Sequence, residues 1–178
     1  MSELFRNKYR IKSIRLPDWD YSSEGLYFLT ICTRNRECIL GDVVNDKIKL
    51  SKIGEIVEKC WNEIPKHFIN VVLDEFVVMP NHVHGIIEIT NCRDGVTPSL
   101  HKPPLHRPTL GQIIGYFKYQ TTRIINRIRN TPYVPIWQSR FYEHVIRNEI
   151  ELNSIREYII NNPLKWELDR NNIKNHKI

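Results

Sequence analysis

A chain of 178 residues, 41% hydrophobic and 26% charged, can bury one sizeable core and has the composition of an ordinary globular domain. Its 26 Lys and Arg against 20 Asp and Glu leave a formal charge of +6, compatible with a nucleic-acid partner without requiring one. No apolar run approaches the ~20 residues of a membrane helix, and the basic lead-in MSELFRNKYRIKSIRL lacks the apolar stretch of a secretory signal, so a cytoplasmic address and no membrane partner are expected. Cys32, Cys38, Cys60 and Cys92 form no CxxC pair, which argues against a zinc ribbon or a disulfide framework.

In chain order, GLYFLTICT (25–33) is rich in aromatic and β-branched residues and reads as a strand. Residues 35–50 read as turn-rich, with a reversal at Asn45–Asp46. Ser51 caps a helix whose Ile53, Ile56, Val57, Cys60, Trp61 and Ile64 keep a 3.6-residue period, and Pro65 is expected to end it. INVVLDEFVVM (69–79) and HVHGIIEIT (82–90) read as antiparallel strands joined by a tight reversal at Pro80–Asn81. Residues 91–108, with four prolines and no periodicity, are expected to be a flexible internal loop in a single domain. From Thr109 a second helix places Ile113, Ile114, Phe117, Ile124, Ile125 and Ile128 on one stripe. RFYEHVI reads as a strand, and a last helix starts near Asn148, buries Leu152, Ile155 and Ile159, and stops at Pro163. The order β, α, β, β, α, β, α predicts one sheet with helices packed on one face.

Chemistry concentrates at His82 and His84. On a strand they share one face with Cα atoms about 6.8 Å apart, close enough to converge on one divalent ion, whereas Val83 faces the other way. Two imidazoles do not fill a coordination shell, so a further protein, water or substrate donor is needed. The same spacing also suits a polar strand face with no ligand. His101 and His106 lie in the Pro-rich stretch, and His67 and His144 read as structural or surface residues. Gly85 suggests a close approach by backbone or substrate. On the last helix Tyr158 and Asn162 stand one turn apart; taken alone they read as a core-edge residue and a helix-end residue.

Taken together, VVMPNHVHGIIEI, WQSRFYEHVIRNE and REYIINNPLKW resemble the REP-associated tyrosine transposases, relatives of the single-tyrosine histidine–hydrophobic–histidine (HUH) transposases, over roughly residues 20–168. The resemblance implies an α+β, ferredoxin-like antiparallel sheet with helices packed mainly on one face. It implies His82, His84 and Asn162 as ligands of a divalent ion, Mg2+ or Mn2+, and Tyr158 as the nucleophile. The partner would be single-stranded DNA with palindromic or hairpin structure, cleaved and rejoined through a 5′-phosphotyrosine. Tyr116 and Tyr119 rank below Tyr158 because no polar ligand stands one turn away in GYFKYQTTR. Lys118, Arg123, Arg127 and Arg140 are the expected nucleic-acid contacts, with a solvated helix face as the alternative for those on the helix. Trp137 and Gln138 receive no individual role. Rival functions are a non-catalytic DNA-hairpin binder and a metal-dependent phosphodiesterase that uses water. The sequence does not decide between homodimer and monomer.

Overall fold

The computed structural model describes residues 20–90 and 108–176, so the expected loop at 91–108 lies, apart from Pro108, outside the described residues. Four strands form the main sheet: β1 (Gly25–Cys32), β4 (Val71–Met79), β5 (His82–Ile89) and β6 (Tyr142–Ile146), in the order β4-β5-β1-β6. The pairings are antiparallel throughout. Counting only these strands in chain order gives 2-3-1-4, the arrangement of a ferredoxin-like sheet. Two further short strands, β2 (Gly41–Val44) and β3 (Lys47–Leu50), form a separate hairpin. The expected reversal sits between them, with Asn45 and Asp46 both in the left-handed region, at φ 52° and 60°.

Alternation sorts the sheet residues into two layers. Tyr27, Leu29 and Ile31 of β1 and Val83, Ile87 and Ile89 of β5 face α1 (Lys52–Asn62) and α3 (Leu110–Arg129). Trp61 and Phe117 fill the centre of this layer, their ring centroids 5.4 Å apart. Gly85 also faces this side: a Cβ there would collide with the Trp61 ring. The close approach at Gly85 is therefore made by a core tryptophan, on the face away from the histidines. Phe28 and Ile86 point to the opposite face, where α4 (Glu149–Ile160) contributes Leu152 and Ile159. Two long helices thus cover one face, while the last helix occupies the other, where a smaller apolar cluster shares the surface with polar groups.

Local chemistry sets the helix ends. The Ser51 hydroxyl accepts from the amides of Ile53 and Gly54, and Thr109 forms a reciprocal capping box with Gln112. Asn130, left-handed at φ 54°, closes α3. Pro65 does not end α1, contrary to the sequence reading: α1 stops at Asn62, and Pro65 lies in the first turn of the short α2 (Ile64–His67), where no amide donor is required. Ile128 departs from its expected stripe; it is exposed because the last turn of α3 carries it past the packed layer. Among the described residues no helix is long and apolar enough to cross a membrane.

Candidate active site

His82 and His84 are fully buried although both are polar. Register explains where they lie: His82 is opposite Cys32, and His84 is opposite Thr30, on the face that carries α4. His84 Nδ1 meets Thr30 Oγ1 at 2.9 Å, and its ring stacks on Phe28 at 5.4 Å. His82 Nδ1 meets Asn81 Oδ1 at 2.8 Å, while its Nε2 has no hydrogen-bond partner. The two rings lie 4.4 Å apart between centroids.

The last helix brings Tyr158 over the pair. Its hydroxyl is 3.2 Å from His84 Nε2, and its ring meets Phe28 edge-on at 6.0 Å. Arg156, two residues earlier, forms a fork with Asp74 of β4: Nε donates to Oδ1 at 2.9 Å and Nη2 to Oδ2 at 2.6 Å. This fork ties α4 to the sheet of its own chain. Asp74 lies where the β4–β5 register shifts, between Leu73 and Phe76. A bulge of this kind re-aims side chains locally.

Asn162 is buried, and its Oδ1 is without a partner. A residue absent from the sequence reading completes the cluster. Buried Asp169 ends a 3-10 turn (Pro163–Leu168) and places Oδ2 4.0 Å from His82 Nε2. One ligand atom each from His82, His84 and Asp169 lie within 4.8 Å of one another. No sequence signal singles out Asp169, since the turn that bears it has no periodicity and is far from the histidines along the chain.

The electrostatics suit a cation. Burial, followed by the charges of Arg36 and Arg170, pushes His82 down to about 3, and burial with neighbouring His82 pushes His84 well below its usual value. Both imidazoles are therefore neutral at neutral pH and offer lone pairs, while Asp169 supplies a carboxylate. Two ring nitrogens and a carboxylate form a donor group that could hold a non-redox divalent ion. Tyr158 is raised by burial and then by Asp169, with Arg170 and Asn162 opposing. Its hydroxyl thus holds its proton more firmly than a free tyrosine does.

The other expected residues are distributed less tightly. Lys118 Nζ donates to the carbonyls of Gln138 and Arg140 at 2.9 and 3.1 Å, and burial lowers it to about 8. It holds the WQSR segment rather than facing solvent. That segment docks where Gln138 N donates to Cys32 O, at the His82 end of β1, and leaves Arg140 exposed there. Trp137 is a core residue whose Nε1 donates to Thr121 Oγ1 at 2.7 Å. Arg123 and Arg127 are exposed on α3, across the sheet from the histidines. Tyr116 stacks flat on His67 at 3.9 Å, and Tyr119 lies under Arg123; neither is brought to the pair. His101 and His106 lie outside the described residues. Arg36 and Arg170, not singled out in the sequence, flank the cluster, with Arg36 Nη1 donating to the Arg170 carbonyl at 3.0 Å.

No family model matches the chain. An uncharacterized protein of Haemophilus influenzae is 42% identical over 166 residues, covering 89% of this chain and 91% of its own length. A putative REP-associated tyrosine transposase of the same organism is 25% identical over 155 residues, covering 82% of this chain and 74% of its own. Among solved structures, a REP-associated tyrosine transposase bound to a REP hairpin superposes with a TM-score of 0.61 at 21% identity, covering 90% of this chain and 77% of that one.

Proposed function

We propose, from its likeness to REP-associated tyrosine transposases in sequence and in fold, that the chain cleaves and rejoins single-stranded, hairpin-associated DNA, with Tyr158 as the nucleophile. The observation that carries this reading is the Tyr158 hydroxyl 3.2 Å from His84 Nε2, beside the His82–His84–Asp169 donor set. Attack by the tyrosine oxygen on phosphorus forms a phosphotyrosine bond and breaks the P–O3′ bond. The phenolic proton leaves Tyr158, and the departing 3′ oxygen gains a proton, giving a free 3′-hydroxyl. Attack by that hydroxyl, or by one from another strand, reverses the exchange without an external energy source.

His82, His84, Asp169 and Asn162 would hold the divalent ion, Mg2+ or Mn2+. When bound, it supplies Lewis-acid polarisation of the scissile phosphate and offsets the charge that develops there. The chain's own contribution is placement. Phe28 supports the His84 and Tyr158 rings, and the Asp74–Arg156 fork seats the helix that carries the nucleophile. Tyr158 meets the histidine pair of its own chain, which supports a site completed by one protomer. Arg140 would meet backbone phosphate near the cluster, with Arg123 and Arg127 offering contacts farther away. The committed bonds of Lys118 suit it to holding the loop.

The test uses the full chain with a pool of single-stranded hairpins and Mg2+ or Mn2+. A covalent protein–DNA species on denaturing gels, mapped to Tyr158, is expected. Tyr158→Phe should remove it while leaving hairpin binding within about twofold, since the ring is retained. An adduct that persists in that variant sinks the assignment. Hairpin binding by the native chain with no adduct under any divalent ion identifies a non-catalytic binder instead. Cleavage with no adduct points to a phosphodiesterase that uses water.

A further inference from the structure

The turn between β4 and β5 contains a buried polar residue with no role in the reaction described above. Asn81 is fully buried and immediately precedes His82. Its Nδ2 donates to the main-chain carbonyls of Arg36 at 3.0 Å and Asn171 at 2.8 Å, while Oδ1 lies 2.8 Å from His82 Nδ1. Its own carbonyl accepts from the Thr33 amide at 2.9 Å and the Thr33 hydroxyl at 3.0 Å.

These partners leave the carboxamide one orientation. Main-chain carbonyls only accept, so the group facing Arg36 and Asn171 must be the amide nitrogen. A flip would set Oδ1 against two carbonyl oxygens and forfeit both bonds. With Oδ1 thus directed at His82, the bond between them requires a proton on Nδ1. A neutral imidazole carries one such proton, so Nε2 is left as a bare lone pair. Nε2 is the nitrogen that lacks a partner in the interior and lies 4.0 Å from Asp169 Oδ2.

The same amide joins three separate segments. Arg36 follows Asn35, and both take left-handed backbone at φ 55°, a conformation disfavoured for residues with a Cβ and one that needs support from its surroundings. Asn171 belongs to the turn that carries Asp169, whose carboxylate in turn accepts from the Asn171 amide. Removing the Asn81 side chain would therefore free the tautomer of His82 and loosen both flanking segments at once.

We propose that Asn81 is a positioning residue that fixes His82 as the Nδ1–H tautomer, aims the Nε2 lone pair at the divalent ion, and fastens the Arg36 and Asp169 segments to the histidine strand. The proposal rests on the metal-dependent reading for its purpose, although the tautomer can be observed without metal or DNA.

The experiment is long-range 1H–15N correlation of the imidazoles in the metal-free, full-length chain at neutral pH, with His82 assigned by its loss in His82→Gln. A protonated Nδ1 and an unprotonated Nε2 are expected for His82; a protonated Nε2 overturns the proposal. Asn81→Ala should shift the signature toward Nε2–H or a mixture and weaken Mn2+ binding, read by electron paramagnetic resonance with the metal alone, by about 10–100-fold. A folded Asn81→Ala with native tautomer and native Mn2+ affinity overturns the proposal. Asn81→Asp keeps an acceptor for Nδ1 but loses both amide bonds, so the native tautomer should survive while amide exchange quickens around Arg36 and Asn171. Exchange unchanged in that variant defeats the fastening role. The native spectrum decides the tautomer even where Asn81→Ala does not fold. A missing DNA adduct with the expected tautomer thus fails only the strand-transfer reading, and an adduct with Nε2–H fails only this proposal.

Discussion

The two faces of the central sheet are made by the same strands and packed under opposite rules. Val83 and His82 are adjacent and equally buried, yet Val83 meets the hydrocarbon layer of α1 and α3, while His82 lies beside Asn81 and Asp169 with its own Nε2 left without a hydrogen-bond partner. On the first face apolar side chains dominate, although Trp61 Nε1 is buried there without a hydrogen-bond partner. On the second, desolvated imidazoles and an orphaned amide oxygen lower stability, because buried polar atoms without partners cost about 1–3 kcal/mol each. A protein keeps such groups where a ligand is due. The contrast separates a mainly apolar face from the face of the proposed reaction across one thickness of backbone, and it can be tested by substitutions on either side.

The largest expected effect belongs to the first face. Trp61→Ala should cost about 3–5 kcal/mol of unfolding free energy, read by urea denaturation, while adduct formation per folded molecule stays close to native. A chain that remains as stable as native would show that the Trp61 layer is not the main source of cohesion. On the second face, His84→Ala should lower adduct formation on the order of 10²–10³-fold, the scale of losing one group that offsets transition-state charge. Its loss of stability should be smaller than that of Trp61→Ala. A variant with native rates would remove His84 from the reaction.

Gly85→Ala sharpens the comparison because it changes the histidine strand while pointing the new methyl at Trp61. It should cost about 1–3 kcal/mol through overpacking with Mn2+ affinity little changed; a specific loss of Mn2+ binding would mean that the sheet does not insulate its faces. The smallest effect is expected at Asp74. The hydrogen bond from Arg156 holds its carboxyl below the usual range, against the opposing pull of burial. The unfolded chain therefore binds the proton first as pH falls, so this contribution to stability is present above about pH 4 and is lost as pH drops through the lower folded value. Asp74→Asn should flatten the acid side of the stability profile and modestly slow adduct formation by loosening the seat of α4. An unchanged acid slope would show that the fork does not stabilise the fold.

The same geometry decides how much of the molecule was legible in its sequence. Local periodicity revealed the long helices, the main strands, and the shared face of His82 and His84, because each depends on residues a few positions apart. The β2–β3 hairpin escaped, although its Asn45–Asp46 turn was visible, since two strands this short carry too little alternation to stand out. Pro65 misled because proline suits the first turn of a helix as well as the end of one. Asp169 was illegible for a different reason: a 3-10 turn after the last helix has no apolar rhythm, and only tertiary folding carries it to His82. The sequence offers Lys118 as a nucleic-acid contact or a solvated helix residue, and its bonds to the Gln138 and Arg140 carbonyls are not legible there because those acceptors lie in another segment.

The register of β1 against β5 gives the site an arithmetic of its own. Thr30 faces His84 and Cys32 faces His82, while Leu29 and Ile31 serve the opposite layer. Position in these strands is read modulo two, so losing Ile31 alone from β1 would exchange the layers along part of the strand. Losing two would restore the layers but displace the rest of the strand by about 6.8 Å, out of reach of its partner. A substitution can degrade this site by degrees, but a change in strand length breaks it in one step.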